Sequence, residues 1–265
     1  EIWANRIKHV LKENKLIDRP IHIISANMHS VMNSLFATHV LGTKFKGKSE
    51  FDIFQELSKQ GAHDVRDKVE AFALQHGMYS LPDESGTNID VQIFDTEKID
   101  WKKSAFPTAK IGKEYPVIIV MDYAFGEQAF ETIDELLKPF KNGKDKKLIN
   151  VESVSIMGKA GILEGGKGDI MIPSAHINEG TADNYPFENQ LTAEMFEGNG
   201  IPVFFFFFIT VLGTSLQNKE LLKFFNESTW EIIGLEMEGN QNQKAIQSAS
   251  KIRKSVPHDV KVRYA

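Results

Sequence analysis

Eight residues, Ile232-Ile233-Gly234-Leu235-Glu236-Met237-Glu238-Gly239, constrain the fold of this chain more than any other stretch. Four residues without a charge read as a short buried strand, and two carboxylates then arrive around one methionine. A glycine closes the run, and Ala245, Ile246, Ala249 and Ile252 follow at helical spacing. The acids therefore stand at the carboxyl end of a strand, just before a helix. In open α/β sheets that is where ligands bind. An isolated Glu-x-Glu is more often a solvated strand end, because acidic side chains are mostly exposed. What changes the reading is the company this one keeps.

Upstream, an apolar strand at residues 154–157 runs into the turn Gly158-Lys159-Ala160-Gly161, and Gly168-Asp169-Ile170-Met171-Ile172-Pro173 opens another strand. Such a glycine-bearing turn lets backbone N–H groups approach a ligand closely. The ordered set resembles the nucleoside phosphorylase and nucleosidase superfamily, which includes purine nucleoside phosphorylase, uridine phosphorylase and methylthioadenosine nucleosidase. That superfamily pairs a Gly-Ser/Thr-Ala-Gly-Gly turn and a Gly-Asp strand with a later Val/Leu-Glu-Met-Glu-Gly. Here they read Gly158-Lys159-Ala160-Gly161-Ile162, Gly168-Asp169-Ile170-Met171 and Leu235-Glu236-Met237-Glu238-Gly239, with residues 209–215 similar to the family's Ile-Val-Ser-Gly-Asp segment. The resemblance covers residues 117–265. It implies a three-layer α/β phosphorylase/hydrolase-like fold, with a central mixed, twisted sheet flanked by helices, as a single domain over 1–265.

The resemblance also implies roles. Glu238 grips the ribose 2′ and 3′ hydroxyls and Met237 packs on the sugar, with Glu236 beside them. Gly158, Lys159, Ala160 and Gly161 flank base and sugar, and Gly126 sits in a turn set against phosphate or ligand. Asn27 and His29 lie in the first strand–helix loop, which holds phosphate or positions the attacking water; His29 is the candidate catalytic residue there. Read from the residues alone, the same loop is a capped turn with Asn27 or Ser30 as N-cap. Lys159 replaces the family's small hydroxyl residue, so it meets a substrate phosphate or points to solvent. Leu216 stands where relatives stack an aromatic ring on the base.

Three readings stay open. The first is a nucleosidase-like hydrolase of a purine nucleoside or nucleotide. The second is a phosphorylase with a rearranged phosphate site, since no arginine stands at residues 25–30 or 122–128. The third is a non-catalytic nucleoside-binding or structural member, since the first loop also lacks the glutamate by which nucleosidases orient water. The family's acidic aspartate is expected beyond Ala265, where the chain stops inside an apparent strand.

Composition narrows the partners. A net charge of −5 and a pI near 5.9 leave no electrostatic footprint for nucleic acid or an anionic membrane. Eight scattered histidines lack metal-ligand spacing, so no metal and no cofactor is expected. Absence of cysteine fits a reducing cytoplasm. No apolar run approaches the roughly 18 residues of a membrane span. The expected partners are a small-molecule nucleoside or nucleotide and further copies of the chain in a homo-oligomer.

Periodicity predicts helices over 1–17, 51–59, 64–76 and 240–255, and strands over 21–24, 89–94, 117–121 and 260–265. Residues 42–115 match nothing in the family and read as an insertion or lid. Residues 141–147 read as a charged, solvated loop, and 174–187 as a polar loop carrying His176, Glu179 and Asp183. Five consecutive phenylalanines at 204–208 fit neither a period of two nor 3.6. They read as a strand buried on both faces or at an interface.

Overall fold

A computed structural model describes residues 1–44, 46, 49–181, 183–198, 200–213, 218–227 and 231–265. The chain divides into two compact units, Arg6–Asp122 and Glu1–Asn5 with Tyr123–Ala265. Both are α/β, with helices flanking mixed sheets.

Helix α1 (Ile2–Glu13) opens the chain and turns Ile7 and Leu11, one turn apart, into the interior. The Arg6–Asp122 unit then runs β1 (Ile21–Ser25), α2 (Met28–Leu41), α3 (Glu50–Ser58), α4 (His63–Gln75), β2 (Met78–Leu81), β3 (Val91–Asp95) and β4 (Val117–Met121). Its strands lie in the order β1-β4-β3-β2. β4 pairs in parallel with β1, Ile21 opposite Val117, and the other pairs are antiparallel. All five residues of β3 are buried, as a strand covered on both faces requires. Met32, Leu35 and Phe36 of α2 meet Ile53 and Leu57 of α3, Val69 and Ala73 of α4, and Phe94 and Val120 of the sheet. The stretch at 42–115 thus supplies two strands of this sheet and two of its helices.

The second unit continues with α5 (Glu127–Leu136), β5 (Phe140–Asn142), β6 (Asp145–Lys147), β7 (Val151–Ile156), β8 (Gly161–Ile162), β9 (Ile170–Asn178), β10 (Asn184–Pro186), β11 (Val203–Thr210), α6 (Lys219–Asn226), β12 (Ile232–Glu236), α7 (Gly239–Gln247) and β13 (Lys261–Tyr264). Five strands form a mixed sheet in the order β10-β9-β11-β12-β8, parallel at its centre and antiparallel at both edges. β13 pairs in parallel with β7.

Three expectations are corrected here. Residues 141–147 are not a loop: β5 and β6 form an antiparallel hairpin turning at Gly143 and Lys144. The helix begun at Gly239 gives way to a π-helical stretch at Ser248–Ile252, short of residue 255. The polar loop at 174–187 is largely strand, because β9 runs through Pro173 to Asn178 and β10 folds back on it. Proline donates no ladder hydrogen bond and usually ends a strand. Here β9 continues because the register slips: Phe206 faces Pro173 and Phe207 faces Ala175, leaving Ser174 as the extra residue. A second slip, between Phe207 and Phe208, leaves Ile233 of β12 over. Two register slips along β11, one against an extra residue of β9 and one against an extra residue of β12, accompany a phenylalanine run that follows no single period. Phe206 is 49% exposed and Phe208 1%.

Candidate functional site

β12 is buried along its whole length and ends at Glu236. Its carboxylate turns inward and accepts from four donors. Thr210 Oγ and His176 Nδ1, at 3.3 Å, donate to Oε1, and the backbone N–H groups of Glu238 and Gly239 donate to Oε2. The last two are among the donors that every helix leaves unpaired at its start. Asn240 N donates in turn to Thr210 Oγ at 3.0 Å. Each hydrogen bond to a charged acceptor contributes roughly 1.5–3 kcal/mol, and each buried donor left alone costs about as much. Glu236 is therefore the keystone of the strand-to-helix junction.

Glu238 is the N-cap residue of α7 and is half-buried. Its Oε1 accepts from Gly126 N at 3.4 Å. Gly126 is itself the N-cap of α5, with φ 55° and ψ −130°, a conformation that glycine adopts without a Cβ penalty. Lys244 lies over the Phe130 ring at 5.3 Å, and Arg253 reaches Asp134 at 2.7 Å, so side chains as well as backbone tie the α7 segment to α5. Burial pushes the Glu238 carboxyl above its ordinary range, and the neighbouring Glu236 charge adds to this. The N–H groups of Gly126 and Met237 work the other way. Met237 packs against the apolar cluster that includes Ile177, Ile209, Val211, Phe225, Ile232 and Leu235.

The exposed turn Gly158-Lys159-Ala160 leads from β7 into β8, where Gly161 pairs with Leu235 in antiparallel register. Gly158 N donates to the carbonyl of Ala265 at 3.0 Å. Asp169 accepts from Gly166 N at 2.7 Å and so closes the turn before β9.

In the second unit, then, Gly126, Gly161, Glu236, Met237 and Glu238 come together around the end of one strand. In the other unit, Asn27 is the N-cap of α2, its side chain accepting from His29 N at 3.0 Å, and both residues are exposed. Leu216, with Thr214 and Ser215 of the segment at 209–215, lies outside the described residues.

His176 is the residue that sequence reasoning missed. It is fully buried, stacked on Phe187 at 5.6 Å and tilted against Tyr264 at 4.4 Å, with Phe208 edge-on at 5.8 Å. Burial holds the Tyr264 hydroxyl neutral, its pKa well above the ordinary value, and the Glu236 and Glu238 charges act the same way. His176 also dictates Gly239, since a Cβ there would stand 2.0 Å from its Nδ1. The alternation along β9 was the signal for it, obscured by Pro173.

Among the described residues, no three or more His, Asp or Glu side chains converge as metal ligands, and no helix is long and apolar enough to cross a membrane.

The sequence model of DUF6909, a family of unknown function, matches residues 53–265. The chain belongs to that family. No curated protein matches this DUF6909 sequence. Among solved structures, 5′-methylthioadenosine/S-adenosylhomocysteine nucleosidase of Helicobacter pylori, in complex with an aminopyrrolopyrimidine-bearing pyrrolidinol, superposes with a TM-score of 0.50 at 12% identity, over 93% of this chain and 82% of that one. Futalosine hydrolase of Helicobacter pylori gives 0.49 at 13% identity, over 91% and 84%. Uridine phosphorylase of Vibrio fischeri gives 0.47 at 13%, over 75% of each chain. At these identities the likeness is one of fold: this DUF6909 member has the nucleosidase-type α/β fold.

Proposed function

We propose that this protein hydrolyses the N-glycosidic bond of a purine nucleoside or nucleotide, with Glu238 holding the ribose. The observation that carries the reading is Glu238 itself. It is a half-buried carboxylate at the end of an apolar strand, where two helices begin, and its backbone is fixed by a second carboxylate that the protein engages on both oxygens.

Breaking the bond sends its electron pair to the base, which takes up a proton. Water adds to the anomeric carbon and releases one. The sugar passes through an oxocarbenium-like state, as in glycoside hydrolysis. An acceptor on the 2′ and 3′ hydroxyls, held in place before reaction, tightens its hydrogen bonds as positive charge develops on the ring. Glu238 supplies that acceptor when ionised, Met237 contributes its half-buried flank, and the Gly158–Gly161 turn flanks base and sugar. Lys159, exposed in that turn, is suited to a phosphate on a nucleotide substrate. Glu236 acts from the interior, through the backbone of Glu238. The fold likeness to a nucleosidase whose bound molecule joins a purine-like base to a pyrrolidinol supports the substrate class.

The test is to incubate the full-length protein with a panel of purine nucleosides and nucleotides, with and without phosphate, and to measure free base. Release without phosphate is expected. Release only with phosphate replaces hydrolysis by phosphorolysis, and saturable binding without release makes this a binding protein. We also propose that the protein works as a homo-oligomer; a monomeric mass by light scattering at micromolar concentration removes that part.

A further inference from the structure

We propose that His176 is a positioning residue: by donating from Nδ1 to Glu236 it fixes the strand–helix junction that aims the Glu238 carboxylate. The inference rests on the reading of Glu238 as the ribose acceptor.

The argument begins with an apparent misfit. The imidazole lies fully buried among Phe187, Phe208 and Tyr264, an environment that a phenylalanine would fill without polar atoms. Its Nε2 has no hydrogen-bond partner among the described residues, so placing a histidine here leaves a desolvated nitrogen uncompensated. Packing alone gives no reason for that choice. What the imidazole adds over a benzene ring is the contact of Nδ1 with Glu236 Oε1 at 3.3 Å. A carboxylate offers no proton of its own, so this contact calls for a proton on Nδ1.

From Glu236 the constraint runs outward through the backbone. Oε1 is held by His176 and Thr210, which leaves Oε2 to the N–H groups of Glu238 and Gly239. These two amides set the first turn of α7, and with it the direction in which the Glu238 side chain leaves. Gly239 is the structural counterpart, since only a residue without a Cβ lets the imidazole stand this close to the helix start. Without the Nδ1 donor, Glu236 keeps a charge-assisted partner fewer on the oxygen that fixes its rotamer, and the Glu238 backbone loosens with it.

His176→Phe keeps the ring stack and deletes the donor. His176→Asn returns an N–H near the position of Nδ1, whereas His176→Gln places it nearer that of Nε2. Amide exchange is the readout that needs no ligand: the Glu238 and Gly239 amides should exchange about tenfold faster in His176→Phe, and recover in His176→Asn but not in His176→Gln. Adenosine and 2′,3′-dideoxyadenosine are the binding probes. His176→Phe should weaken adenosine by about tenfold and leave the dideoxy analogue unchanged, with rescue again by His176→Asn alone. Equal losses on both probes, or unchanged exchange at the two amides, overturn the proposal and leave His176 a packing residue. If His176→Phe fails to fold, the Asn and Gln variants carry the same comparison, and equal behaviour of the two overturns it. Glu238→Gln separates the two levels. If it does not narrow the gap between adenosine and the dideoxy analogue, the ribose reading itself is wrong. If it does narrow the gap while His176→Phe does not, only the role of His176 falls.

Discussion

At the β1–α2 junction the chain leaves a strand and starts a helix in the open; at β12–α7 it does the same in the interior. At the exposed junction the Asn27 side chain accepts the His29 N–H and the Asn27 carbonyl accepts the Ser30 N–H. The buried junction has no water to lean on. It uses the Glu236 carboxylate for two backbone donors, the Thr210 hydroxyl for a third, and His176 to steady the carboxylate. Equal local topology therefore demands very different chemistry, and burial decides how much. A helix start that must be satisfied by protein groups is also held rigidly, which suits the ribose-holding role proposed for Glu238.

The largest effect that sharpens this contrast is on stability. Glu236→Ala strands several buried donors at once and should cost about 3 kcal/mol or more, whereas Asn27→Ala should cost about 1 kcal/mol. Denaturant unfolding of the two variants side by side checks this, and equal losses would break the comparison. Next comes binding: Glu238→Gln should fold normally and lose about 1.5–3 kcal/mol of ligand or transition-state binding, read from Kd or kcat/KM. Retention of both within a factor of two would sink the ribose assignment.

A smaller effect is pH-dependent. The folded carboxyl of Glu238 lies above its ordinary value of 4.5, so between that value and the raised one the folded state holds more protons than the unfolded. Stability should therefore fall slightly as pH rises through this window, while affinity for a ribose diol should rise as the carboxylate ionises. Glu238→Gln should remove both slopes; a slope that survives in the variant belongs to another group. The smallest effect belongs to the exposed junction. His29→Ala should change stability by less than about 0.5 kcal/mol and turnover by less than twofold, because only the backbone of His29 is used there. A tenfold loss of turnover would restore His29 as the residue that handles water.

The apolar strands at 21–24, 117–121 and 232–236, and the helices at 51–59 and 64–76, were legible because period and composition agree there, whereas α6 was not foreseen. The place of Glu238 between a strand end and a helix start was legible too, from the abrupt change of an uncharged strand into two acids and a glycine. The division of labour between Glu236 and Glu238 was not. A regular strand would have put both on one face, but β12 stops at Glu236 and the helix takes over, which turns one acid inward and leaves the other half-exposed. His176 was hidden by Pro173, a residue that ends most strands and here sits at a register slip. The polar run Asn240-Gln241-Asn242-Gln243 gave no sign that Asn240, Asn242 and Gln243 are buried, since composition alone places amides at the surface.

The missing Cβ at position 239 reaches beyond this one molecule. With an imidazole at 176, any side chain at 239 collides; with a side chain at 239, position 176 must shrink. Position 239 cannot change while the imidazole stays, whereas position 176 can change first, so the constraint runs one way between sites 63 positions apart. Members of DUF6909 that carry histidine at the position of His176 should therefore carry glycine at that of Gly239, and a lineage that lost the glycine would have had to find another way to hold its inner glutamate.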